Sequence, residues 1–148
     1  MLKGSSVSVG IRLRRLNKDR VIGQIREGVE RLEGVLCAVL FGSLVSGEYT
    51  GSSDADLLII IDRDLPSDER YRRYNRIMAD TDVQLFIFTL DKVVSRIRSG
   101  DTFIINIITT GIPIKGKDLF MRLEKLCGEA MRHYGIKKID SGWVVKKK

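Results

Sequence analysis

The chain has 148 residues, 43% hydrophobic and 30% charged, which suits one globular domain with a single core. No apolar run approaches the roughly 20 residues of a membrane helix, and no signal-type apolar region opens the chain, so the expected location is cytoplasmic with no membrane role. The net charge of +7 is concentrated at the ends, +5 in residues 1–20 and +4 in residues 137–148; such ends suit contact with RNA or an acidic partner, or act as solvated termini.

Residues 19–33 place Val21, Ile22, Ile25, Val29 and Leu32 at the spacing of one helical face, and Gly34 supplies a stop signal. Val35 to Phe41 is an unbroken apolar run of strand length, read as a buried central strand ending at Gly42 and Ser43. Leu44 to Ser53 is rich in Gly, Ser and Thr and reads as a loop or a helical turn plus a loop. Asp54 to Asp62 is a second strand, alternating acid and apolar at its start.

Pro66 and Asp68 open a helix that runs to about Ala79. It carries the cluster Tyr71-Arg72-Arg73-Tyr74, which suits RNA or a base, or is simply a solvated face. Asp82 to Thr89 is a third strand, rich in aromatic and branched residues. Leu90 to Arg98 reads as a helix, and Asp101 to Thr110 as a short apolar helix or extended segment. Ile112 to Lys115 contains Pro113, so it can form only an edge strand. Lys117 to His133 is the last helix. The tail shows no period, and Trp143 is expected to tie it to the body.

This order predicts an α/β (α+β) chain with a small mixed sheet covered by helices, expected on one face. The chain reads as a single domain over 1–148, with its core at about 20–116. A basic arm (1–18) precedes the core, and a C-terminal helix and basic tail (117–148) follow it. Cys37 and Cys127 sit in apolar contexts without metal-site spacing and read as buried thiols. His133, the only histidine, reads as a surface or packing residue.

Asp54 and Asp56 are two apart on a strand, so both carboxylates point to one face, about 6–7 Å apart at the Cα atoms. Paired carboxylates beside buried strands repel and lose solvation, and a hard cation relieves both. Oxygen-only ligands favour magnesium or manganese, completed by water and phosphate. Gly42 and Ser43, after the first strand, offer close backbone approach and a hydroxyl for phosphate. A phosphate cradle beside a metal seat meets the needs of phosphoryl transfer.

The stretch Gly42-Ser43-Leu44-Val45-Ser46-Gly47, five further residues, then Ser53-Asp54-Ala55-Asp56-Leu57 resembles the signature of the minimal nucleotidyltransferases of the DNA polymerase beta superfamily, MntA-like antitoxins among them. The resemblance covers about residues 20–116. It implies Mg2+- or Mn2+-dependent transfer of a nucleoside monophosphate, AMP from ATP or the equivalent from another nucleoside triphosphate. Asp54 and Asp56 would hold the metals, and Gly42, Ser43 and Ser53 the nucleotide. A third acid is implied on the neighbouring strand. Counting from the strand start selects Asp82, the favoured residue; counting back from Thr89 selects Gln84, which would leave a weak catalyst.

Among minimal members the resemblance also implies an antitoxin role, adenylylating a HEPN-class protein partner. RNA- or small-molecule-directed transfer and a catalytically weak nucleotide- or partner-binding subunit are the alternatives. Homo-oligomerisation is a further expectation where no acceptor domain is present.

Overall fold

Apolar runs of strand length produce the centre of the fold, and amphipathic helices close over it. The computed structural model describes residues 18–42, 45, 55–63, 68–79, 83–139 and 142–145. Helix α1 occupies residues 18–30 and leads through a turn into β1 (Val35–Phe41). β2 (Ala55–Ile61), α2 (Asp68–Ile77) and β3 (Val83–Thr89) form a strand–helix–strand unit. α3 (Leu90–Arg98), α4 (Thr102–Thr110), β4 (Ile112–Lys115) and α5 (Lys117–Tyr134) follow.

The sheet order is β3-β2-β1-β4. β1 runs antiparallel to both β2 and β4, whereas β2 and β3 are parallel. The sheet is therefore mixed and the fold α+β, as the sequence predicts. β4 lies at an edge, where Pro113 costs no ladder bond.

Helices cover both faces of the sheet, which corrects the expectation of one covered face. Ile25, Val29 and Leu32 of the α1 region and Tyr74 and Met78 of the α2 region pack with Leu40, Ala55, Leu57, Ile59 and Leu85. On the opposite face, Cys37, Val39, Phe41, Leu58 and Ile60 pack with Val93 and Ile97 of α3, Ile104 and Ile108 of α4, and Phe120 and Leu123 of α5. The two sets alternate along β2, as strand geometry requires. Burial on both faces explains the unbroken apolar character of the strands.

Local chemistry fixes the helix ends. Thr89 Oγ1 accepts from Lys92 N at 3.2 Å and caps α3. Asp101 Oδ1 accepts from Phe103 N at 2.9 Å and Ile104 N at 3.4 Å, starting α4. That cap resolves residues 101–110 as a helix. Gly116 (φ 75°) begins α5 with its Cα against the Leu36 carbonyl, where no side chain fits. The Tyr74 hydroxyl donates to the Glu33 carbonyl, tying α2 to the turn before β1. Tyr74 is therefore buried and structural, while Arg72, Arg73 and Arg76 of the same helix are exposed.

The tail carries structure that its sequence pattern does not announce. β5 (Ile136–Ile139) and β6 (Gly142–Val145) pair antiparallel in a separate two-stranded sheet, Lys138 opposite Trp143. The side chain of Trp143, expected to anchor the tail, is outside the described residues. So are the opening turn at Pro66 and most of the loop read at 44–53. No helix among the described residues is long and apolar enough to cross a membrane.

Candidate active site

The sheet has one rim where β1 ends and both β2 and β3 begin, set by the antiparallel β1–β2 and parallel β2–β3 ladders. Asp56 sits at that rim. It is half-buried, paired in register with Phe41 on β1 and with Gln84 on β3. Residues paired across a ladder share a face, so Phe41, Asp56 and Gln84 form one row. That face is the one covered lower down by α3, α4 and α5.

Gly42 closes the row from the β1 side. Its φ is +87°, in the left-handed region that favours glycine. A Cβ built there would collide with Asp56 Oδ2 and lie 3.3 Å from Asp56 Cγ. The backbone at the end of β1 thus lies directly against the Asp56 carboxylate. The turn continues with Val45 N donating to the Gly42 carbonyl at 3.1 Å.

Of the residues singled out by sequence, the structure brings Gly42 and Asp56 together. Asp54, Asp82, Ser43 and Ser53 lie outside the described residues. The neighbour of Asp56 on β3 is Gln84, exposed and presenting a neutral amide. Oxygen donors alone, one of them a carboxylate, fit a hard divalent cation in kind. Among the described residues no three His, Cys, Asp or Glu side chains gather as a metal cluster.

Sequence reasoning did not single out the aromatic side chains in and next to this row. Phe41 and Phe86 rings lie 5.5 Å apart between centroids, and Phe103, from the first turn of α4, lies 6.2 Å from Phe41 and 5.9 Å from Phe86. Phe86 was findable, since it shares the face of Gln84 at the next alternate position of β3. Phe103 was not, because only the packing of α4 on the sheet brings it there.

The remaining candidates lie elsewhere. His133 is exposed and makes an edge contact with Tyr134, ring centroids 4.7 Å apart. Tyr134 donates to the Arg98 carbonyl at 2.8 Å. These residues line an open cavity of about 270 Å³ with Leu126, Glu129 and Ala130. Cys37 and Cys127 are buried and free. Burial pushes the Cys37 thiol up to about 11; burial, then the nearby Glu124 charge, pushes Cys127 up to about 12. Neither is a nucleophile at neutral pH.

At the strand-start rim of this mixed sheet one carboxylate thus lies against a glycine backbone. The family model described as "Polymerase beta, Nucleotidyltransferase" matches residues 23–119, and the chain belongs to that family. Comparison with curated protein sequences gave no match. Several solved structures are similar, three toxin-antitoxin complexes among them. A toxin-antitoxin with AMP-PNP is 20% identical, covering 80% of this chain and 87% of its own, with a TM-score of 0.48. The toxin-antitoxin MntA-HepT is 19% identical, covering 82% and 86%, with a TM-score of 0.43. The tri-AMPylated Shewanella oneidensis HEPN toxin in complex with MNT antitoxin is 20% identical, covering 82% and 87%, with a TM-score of 0.44.

Proposed function

We propose that this nucleotidyltransferase moves AMP from ATP to a hydroxyl acceptor, with Mg2+ or Mn2+ as cofactor. The carrying observation is the row at the sheet rim, where the Asp56 carboxylate meets the Gly42 backbone. In this reading Asp54, Asp56 and Asp82 hold the cation, and Gly42, Ser43 and Ser53 hold the triphosphate. The cation neutralises phosphate charge. The acceptor oxygen bonds to the α-phosphorus as the bond to the bridging oxygen of the β-phosphate breaks. Pyrophosphate leaves, and the hydroxyl proton passes to a carboxylate or to water.

The acceptor we name first is a hydroxyl on a HEPN-class protein, as in the adenylylated complex described above; an RNA end or a small molecule is the alternative. A second reading is favoured by the pairing of Asp56 with Gln84. An amide beside the metal carboxylate adds no negative charge and accepts no proton, which would leave a nucleotide-binding subunit with weak catalysis.

The test is pyrophosphate release from each nucleoside triphosphate with magnesium, with and without a HEPN-class protein or RNA. The Asp54→Asn, Asp56→Asn double variant is the control. Loss of several kcal/mol of charge stabilisation predicts about a thousandfold slower release in that variant. Release that survives the double substitution would sink the assignment. Triphosphate binding without release in wild type would establish the second reading.

A further inference from the structure

Phe41 in the row, with Phe86 and Phe103 next to it, forms an aromatic cluster at the Asp56 end of the sheet. Phe41 is the register partner of Asp56, and Phe86 lies two residues beyond Gln84 on the same face of β3. That offset is about 6–7 Å along the strand. Phe103 completes the surface and is 43% exposed, among the most exposed large apolar side chains described. Its backbone is anchored, because its N–H donates to the Asp101 cap.

The rings meet at 54°, 83° and 59°. None is stacked parallel on another, and the 43% exposure of Phe103 leaves ring surface uncovered for a planar ligand. Phe88, the next ring along β3, is occupied by cations instead. Lys92 Nζ lies 5.7 Å and Arg96 Cζ 5.0 Å from its centroid. The open aromatic surface is thus at the Asp56 end.

We propose that Phe103, backed by Phe41 and Phe86, is the stacking platform for the nucleobase of the donor triphosphate. The inference rests on the proposed transfer site and adds where the base lies. A single ribose separates the base from the α-phosphate, and Phe103 touches Phe41, the ladder partner of Asp56, at 6.2 Å between ring centroids. A patch built on one exposed ring matches a base. It falls far short of the roughly 800 Å² per partner that a stable protein interface buries. Stacking needs only a π-face, so the platform binds purines more tightly than pyrimidines without reading their edges.

The experiment compares ATP with inorganic tripolyphosphate, which has no base, by titration calorimetry in magnesium. Wild type, Phe103→Ala, Phe103→Tyr and Asp56→Asn are measured. Phe103→Ala is expected to weaken ATP about tenfold or more while leaving tripolyphosphate unchanged. Phe103→Tyr keeps the ring and restores ATP to within about twofold. Unchanged ATP affinity in Phe103→Ala, or an equal loss for both ligands, overturns the platform. Tripolyphosphate binding that ignores Asp56→Asn overturns the proposed site instead, so the two failures are told apart. Wild type binding neither ligand overturns both.

Discussion

The two faces of one sheet are built to different standards of closure. Under α1 and α2, Leu57 and Ile59 are fully buried among aliphatic neighbours, and Tyr74 and Met78 seal the layer. Under α3, α4 and α5 the same strands bury Leu58 and Ile60 just as fully, but the row above them is Asp56, Gln84 and Phe41, beside the partly exposed Phe103. The difference is a single alternation along β2, one parity serving packing throughout and the other giving way to a half-buried acid at the rim. A strand buried on both faces therefore admits an acid only at its end, where the covering helices stop short.

The strongest way to break this contrast is from the closed side. Ile59→Ala removes a fully buried side chain and is expected to cost about 2–5 kcal/mol of stability, read by urea unfolding. Phe103→Ala on the open side should cost far less. Equal losses would show that the second face is as closed as the first. Next in size is Gly42→Ala. Left-handed backbone costs an L-residue about 1–2 kcal/mol, and the added carbon displaces the Asp56 carboxylate. Nucleotide affinity should fall by more than stability does, and the reverse order would remove Gly42 from the site.

The smallest effect concerns pH. Both thiols belong to the α3–α5 layer, and their folded values of about 11 and about 12 lie above the ordinary 9.0. The unfolded chain gives up these protons first, so the stability they contribute is complete below pH 9 and is lost as pH rises toward 12. A loss of about 1 kcal/mol per thiol is expected between pH 9 and pH 10. The Cys37→Ala, Cys127→Ala double variant should show a shallower fall by chemical denaturation; an identical slope would mean the thiols are not so buried.

Much of this was legible in the residues. Continuous apolar runs announced β1 and β2, Pro113 announced the edge position of β4, and helical spacing announced α1 and α5. The pairing of Gly42 with Asp56 followed from a glycine after one strand and an acid opening the next. Two-sided cover was not legible, because the layer that a helix joins depends on crossover direction rather than on its own period. The β5–β6 hairpin was hidden because Lys137 and Lys138 interrupt the alternation that marks a strand. Phe103 looked like one apolar residue among many until the packing of α4 carried it to the rim. Register also sharpened the third-acid question, since Gln84 rather than an acid stands beside Asp56.

The β4 rim has a consequence for the behaviour of many copies together. A bare strand edge offers unpaired amide and carbonyl groups to any neighbour and invites fibrous growth. Here that edge is four residues long and includes a proline with no N–H to give. At high concentration this side of the sheet is a poor template for intermolecular strand addition, although Ile112 is 39% exposed upon it. Both the missing donor at Pro113 and the charge of Lys115 work against such addition.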